Sequence, residues 1–120
     1  MTKPTGGRGT RRPAPTDAER EAAAVELAGV RDRIDELDKR LVELLNDRAE
    51  LGRAAGRAKH TAGRRAVKDE EREREVLLRV AMANGGPLSQ ADLLSIYRRI
   101  VAATRGLESR DRTHDGRSDD

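Results

Sequence analysis

The feature that most constrains this fold is the stretch between Thr16 and Gly63, which contains no proline. Thr16 and Glu19, three residues apart and just after Pro15, form a capping box, the pattern of a helix N-terminus. One helix over this span would hold about 45 residues and measure roughly 68 Å at 1.5 Å per residue. A monomer of 120 residues is too small to cover such a helix. The sequence therefore predicts that it packs against a second copy of the chain.

Apolar side chains recur along this stretch at alternating steps of three and four residues, which is the heptad pattern of paired helices. This heptad seam consists of Leu27, Val30, Ile34, Leu37, Leu41, Leu44, Leu51, Ala55 and Ala58. The step after Leu44 predicts an apolar residue at position 48, where the sequence has Arg48. A cation therefore occupies a core position of the seam.

Two shorter helices are predicted after Gly63. Asp69 is a good N-cap for a second helix, which runs to about Ala83 before the breakers at 84–87. Ser89 and Asp92 cap a third helix. Its buried stripe is predicted to consist of Leu93, Ile96, Tyr97, Ile100, Val101, Thr104 and Leu107.

Composition supports an all-α fold with three helices per chain, one of them very long, in a helical homodimer. Charged residues make up 39% of the chain and hydrophobic residues 35%, and Tyr97 is the one aromatic residue, so an aromatic-lined or β-rich core is not expected. We predict a disordered basic tail over 1–15, a folded domain over 16–108 and a disordered charged tail over 109–120.

Several classes of function are disfavoured by what the sequence lacks. The absence of cysteine removes disulfides, thiolate catalysis and Cys-based zinc sites, and fits a cytoplasmic location. We find no signal peptide or membrane span. His60 and His114 lack the spacing of metal ligands, and no phosphate loop or Ser-His-Asp set is visible, so no metal or cofactor is expected.

The residues after Leu44 suggest a site for an anion. Arg48 and Lys59 are separated by almost three helical turns, so both project from one face, about 16 Å apart along the axis. Gly52, Ala55 and Gly56 lie between them and are too small to fill the space. The sequence predicts a cavity with a cation at each end, suited to a ligand that carries two negative groups.

Each of these residues also has a purely structural interpretation. Arg48 could extend to solvent or pair with a carboxylate across a dimer, and the glycines could serve only close packing. Lys59 would suit the dipole of a helix C-terminus. Other polar residues taken singly are typical of helix caps or solvated faces, namely Asp69, Arg72, Glu73, Thr104 and Glu108.

Three segments of the chain carry motifs in a specific order. They are Leu27–Lys59, which contains the IDELD motif between two arginines, Val67–Glu75 with the sequence VKDEERERE, and Pro87–Glu108. In the order Arg, IDxxD, Arg after the leucines, Lys and D-x-x-R-E, these motifs resemble the AroQ class of chorismate mutases, and the resemblance covers essentially the whole predicted domain.

The resemblance implies an intertwined homodimer that converts chorismate to prephenate in aromatic amino acid biosynthesis, without cofactor or metal. Arg31 matches an arginine that each active site borrows from the partner subunit. The two substrate carboxylates would be held by Arg31, Arg48, Arg72 and Thr104. Glu73 and the backbone amide of Asp69 would bind the ring hydroxyl, and Arg48, Lys59 and Glu108 would be the catalytic residues.

Glu108 departs from the family pattern, because bacterial relatives often have Gln there to donate a hydrogen bond to the breaking ether. An ionised Glu cannot donate, and the opposed effects of burial and of nearby Arg48 and Lys59 leave its protonation state open.

Other functions remain open at the level of sequence. A 4-amino-4-deoxychorismate mutase or an isochorismate pyruvate lyase would share the fold. A non-enzymatic basic coiled-coil dimer that binds nucleic acid is a more distant alternative. It is disfavoured by the predicted buried position of Arg48 and by the lack of aromatic residues interleaved with the cations. We expect neither nucleic acid nor a membrane as partner.

Overall fold

A computed structural model of the chain describes residues 11–63 and 69–118. These residues form three α-helices, α1 Asp17–Thr61, α2 Glu70–Ala83 and α3 Gln90–Ser118. The two described ranges contain no strand, so the all-α prediction is confirmed. None of the helices in these ranges has the length and apolar character needed to cross a membrane.

The predicted caps set the ends of α1. Thr16 Oγ1 accepts a hydrogen bond from the Glu19 amide at 3.1 Å, and Glu19 Oε1 accepts one from the Thr16 amide at 2.9 Å. The helix ends two residues before Gly63, whose φ of 83° is one that glycine adopts without a steric penalty. The capping box and the span of 45 residues agree with the prediction.

The chain divides into a first unit up to Arg40 and a second unit from Leu41 onward. In the first unit, Leu27, Val30, Ile34 and Leu37 are 40–55% exposed. In the second unit, Leu41, Leu44 and Leu51 are 53–71% exposed. The heptad seam is therefore accessible in both units, and no apolar side chain in the described ranges is fully buried.

The connection between α2 and α3 is organised by Asn84. Its Oδ1 accepts from the Gly86 amide at 2.9 Å, and its Nδ2 donates to the Leu88 carbonyl at 3.0 Å. Gly86 has φ of 80°, and the Gly86–Pro87 peptide bond is cis. Ser89 Oγ then accepts from the Asp92 amide at 3.1 Å, which is the predicted cap of α3.

Helix α3 continues to Ser118, into the range 109–120 that the sequence analysis assigned to a disordered tail. Arg53 on α1 explains part of this extension: its Nε and Nη2 donate to the two carboxylate oxygens of Asp111 at 2.8 and 2.9 Å. These hydrogen bonds hold the pKa of Asp111 below its ordinary value. Composition placed Asp111 in a disordered tail, because its ion-pair partner Arg53 lies 58 positions away and leaves no local signal in the sequence.

Parts of the two predicted tails and a segment of the predicted domain lie outside the described residues. These are residues 1–10, residues 119–120 and the segment 64–68 between α1 and α2. Residues 11–16 precede α1 and are not helical.

Candidate active site

A cavity of about 520 Å³ lies among the helices of the second unit. The predicted site residues that line it are Arg48, Lys59, Asp69, Arg72, Glu73, Thr104 and Glu108. Arg105 and four apolar or small residues complete the wall beside Gly52, namely Leu51, Ala55, Val76 and Val101. Arg31 lies in the first unit, where it is exposed, and is not part of this wall.

Arg48 is half-buried and faces α3 rather than extending to solvent. Its guanidinium carbon lies 5.4 Å from the centre of the Tyr97 ring, within the range of a cation–π interaction. The one aromatic residue of the chain therefore supports the cation that replaces a core residue of the heptad seam. Sequence reasoning placed Tyr97 on the apolar stripe and missed this contact.

Gly52 and Gly56 of α1 let α3 approach closely, and Gly52 also lines the cavity. A Cβ atom on Gly52 would overlap Thr104 Cγ2, and one on Gly56 would lie 3.2 Å from Glu108 Cγ. The close-packing interpretation therefore holds for both glycines. Gly52 and Ala55 also border the cavity, as the small-residue argument predicted, but Thr104 and Glu108 occupy much of the space that the glycines leave.

Thr104 and Glu108 are the two buried side chains of the described residues, each 9% exposed. The apolar residues of the α3 stripe are only partly buried, and Ile96 is 50% exposed. Thr104 Oγ1 donates to the Ile100 carbonyl at 3.2 Å. The α3 stripe therefore buries polar groups against α1 more completely than it buries apolar ones.

Burial raises the pKa of the Glu108 carboxyl, against the opposing positive charges of Lys59, Arg105 and Arg112. The sequence left these two effects balanced, and in the structure burial is the larger. Arg105 and Arg112 act beside Lys59 where the sequence suggested Arg48. A carboxyl with a raised pKa is protonated over a wider pH range, and in that form it can donate a hydrogen bond.

The start of α2 places two predicted residues at the cavity. Asp69 Oδ1 accepts from the Arg72 amide at 3.0 Å, which confirms Asp69 as the N-cap. The Arg72 side chain is 54% exposed, and its Nη1 donates to Glu75 Oε1 at 2.8 Å along the same helix. Arg72 therefore borders the cavity while held by an exposed carboxylate that a ligand can displace.

Glu73 is tied to α3 by a residue that sequence reasoning missed. Arg105 Nη1 donates to Glu73 Oε1 at 2.5 Å, and the two side chains are 30% and 23% exposed. Their separation of 32 positions hides this contact in the sequence, where Arg105 resembles one more charge on a solvated face.

The charges around the cavity favour an anionic ligand. Its wall carries four cations, Arg48, Lys59, Arg72 and Arg105, against three carboxyl groups, those of Asp69, Glu73 and Glu108. Because burial raises the pKa of Glu108, the negative side of this balance is weakened further. Within the described ranges, no group of three or more His, Asp or Glu side chains is placed to hold a metal ion.

Similarity to known proteins indicates the family of this chain. The family described as chorismate mutase type II matches residues 30–109. A bifunctional chorismate mutase/prephenate dehydratase of Aquifex aeolicus is 36% identical over 89 residues, which cover 71% of this chain and 24% of that protein. The protein of the same description from Neisseria gonorrhoeae is 35% identical over 78 residues, 65% of this chain and 21% of that protein.

The chain thus spans about a quarter of the length of these relatives. Their names combine a chorismate mutase with a prephenate dehydratase. The family match includes every residue that lines the cavity, from Arg48 to Glu108. Since that match covers more than half of its residues, this chain belongs to the chorismate mutase type II family.

Proposed function

We propose that this chain is a chorismate mutase, which rearranges chorismate to prephenate. The observation that carries the proposal is the cavity, which gathers four cations from three helices around a volume of about 520 Å³. Chorismate is a dicarboxylate, and its charge matches the excess of positive groups on the wall. The names of the relatives include the same activity.

The reaction is a concerted shift of bonds within one molecule, so it needs no nucleophile or general base. A protein accelerates it by holding the flexible enolpyruvyl chain in the reactive chair and by placing positive charge beside the ether oxygen. Arg48 and Arg72 hold the substrate carboxylates in this proposal. Lys59, on the same face of α1 as Arg48, stabilises the charge that develops on the ether oxygen.

The ring hydroxyl and the ether define the other contacts. Glu73 accepts a hydrogen bond from the hydroxyl, assisted by the backbone amide of Asp69. Thr104 holds the substrate carboxylates together with the arginines, and Glu108 donates to the ether oxygen in its protonated form. The raised pKa of Glu108 supports this last assignment.

The proposed enzyme is a homodimer in which Arg31 of one subunit completes the site of the other. Arg31 and the exposed apolar residues around it support this arrangement, since Leu27, Val30 and Ile34 are 40–48% exposed on the isolated chain. Removing these side chains from water against a second copy would contribute about 25 cal/mol for each Å² of apolar area.

Steady-state assays of the purified chain with chorismate, 4-amino-4-deoxychorismate and isochorismate test the proposal. We expect prephenate formation from chorismate with the highest kcat/KM of the three substrates. Turnover of only the aminated substrate, or pyruvate release from isochorismate alone, would assign the cavity to one of the related reactions. No turnover of any of the three would contradict the proposal.

A further inference from the structure

The Arg105–Glu73 ion pair lies on the wall of the cavity and joins α3 to α2. Its short contact between Arg105 Nη1 and Glu73 Oε1 is a charge-assisted hydrogen bond, and both side chains are mostly withdrawn from solvent. Both residues also line the cavity. A ligand that touches Glu73 therefore meets a carboxylate whose charge is already matched.

The other two carboxyl groups of the wall are also compensated. Asp69 Oδ1 accepts from the amide of Arg72 at the N-terminus of α2, where the helix dipole favours an anion. Glu108 is buried, which raises its pKa, and it faces the positive charges of Lys59, Arg105 and Arg112. Arg105 thus acts on two of the three acids, through a hydrogen bond to one and through its charge on the other.

Resting on the proposed function, we propose that Arg105 determines which ring substituent the enzyme accepts, by neutralising Glu73. A hydroxyl group can donate to the remaining lone pairs of the Glu73 carboxylate without adding charge. An ammonium group at the same place would lie beside the Arg105 guanidinium, and two cations would then compete for one carboxylate. The ion pair therefore favours the hydroxylated substrate, chorismate, over its 4-amino counterpart.

The test compares kcat/KM for chorismate and for 4-amino-4-deoxychorismate in the wild type and in Arg105→Leu. Removing the guanidinium leaves Glu73 as an uncompensated acid on the wall. We expect the ratio of aminated to hydroxylated substrate to rise by about tenfold, the size of one partly screened charge contact. Arg105→Lys keeps the positive charge and should return the ratio toward that of the wild type.

Two controls separate this role from a general effect of charge or packing. Arg99→Leu removes an exposed arginine of α3 that lies outside the cavity wall, and it should leave the ratio unchanged. In a Glu73→Gln background, Arg105→Leu should no longer change the ratio, because the acid through which it acts is gone.

The outcomes distinguish the inference from the function on which it rests. A wild type without activity on either substrate would remove the proposed function itself. An active wild type whose ratio is unchanged in Arg105→Leu would overturn the inference, as would an equal loss for both substrates, which indicates a contact with a shared carboxylate. If Arg105→Leu does not fold by circular dichroism, Arg105→Gln supplies the same ratio with a polar replacement.

Discussion

At the scale of single residues, Glu108 lies at a position where the family resemblance often implies Gln, and its protonation state bears directly on the proposed mechanism. Its carboxyl is 9% exposed, and burial raises its pKa in spite of three nearby cations. A buried carboxyl that is protonated can do what Gln does at this position, which is to donate a hydrogen bond. The activity of an enzyme that uses Glu108 as the donor should then depend on pH, whereas that of an enzyme with Gln at this position should not.

We predict that kcat rises as pH falls toward the pKa of Glu108, until the fold or the substrate carboxylates titrate. Glu108→Gln supplies a donor at every pH, so it should flatten this profile and raise kcat near neutral pH. Profiles of kcat against pH for both proteins make the comparison. A flat wild-type profile together with an inactive Gln variant would mean that Glu108 works ionised.

The same raised pKa has a consequence for stability. The folded protein binds the proton of Glu108 more tightly than the unfolded chain does, so stability falls as pH rises from the unfolded pKa through the folded one. Above that window the wild type carries the full cost of a buried charge. Glu108→Gln should therefore raise Tm more at neutral pH than in acid, and an equal shift at both would contradict the linkage.

Lys59 tests the electrostatic part of the proposed mechanism. Lys59→Ala should lower kcat by roughly a hundredfold, the usual effect of removing one preorganised charge, while changing Tm little. Lys39→Ala removes an exposed lysine of the same helix in the first unit and is the matched control. Arg48→Ala should abolish measurable turnover, and wild-type kinetics in either active-site variant would refute the assigned site.

At the scale of helices, the approach of α3 to α1 depends on two glycines. Gly52 accommodates Thr104, and Gly56 accommodates Glu108, so the two buried polar residues of α3 fit against the backbone of α1. The Arg53–Asp111 ion pair fastens the same two helices one turn further along α3. Two glycines and one long-range ion pair therefore position α3 against α1 beside the cavity.

We predict that Gly52→Ala destabilises the fold by about 1–3 kcal/mol, as overpacking does, because its Cβ would overlap Thr104. Gly29→Ala is the control: nothing lies within 4 Å of its Cβ position, so the better helix propensity of alanine should stabilise by about 0.5–1 kcal/mol. Denaturant unfolding measures both. Equal effects would show that Gly52 acts through propensity rather than through contact with α3.

At the scale of the whole molecule, the exposed heptad seam predicts that another helix packs against α1. Side chains such as Leu37, Leu44 and Leu51 are 55–71% exposed on the isolated chain, although their spacing is that of a paired helix. A second copy of the chain has the same seam, so two copies can cover each other's exposed apolar residues in a homodimer.

We predict a mass of two chains by light scattering in dilute solution, and a folded monomer would contradict the shared site.

Complementation tests the borrowed arginine. Arg31→Ala and Arg48→Ala subunits should each be inactive alone and regain some activity when mixed, because one site of each heterodimer then has both arginines. Absence of recovery after subunit exchange is demonstrated would refute the role of Arg31.

The sequence by itself determined the local structure of this protein. Helix ends depend on residues that are near neighbours in the chain. The sequence therefore predicted all but one of them, from the capping box at Thr16, the N-cap at Asp69 and the breakers at 84–87. Helical spacing also predicted that Arg48 and Lys59 share one face of α1, and both line the cavity, because residues on one helical face stay together whatever packs against them.

The tertiary structure decided the contacts between residues distant in the chain. Arg105 meets Glu73 across 32 residues, and Arg53 meets Asp111 across 58, so neither pair leaves a periodic signal in the sequence. The second pair extends α3 past residue 108, where composition predicted a tail. The protonation of Glu108 was undecided for the same physical reason: burial and charge oppose each other, and their balance depends on how closely Gly56 lets α3 approach α1.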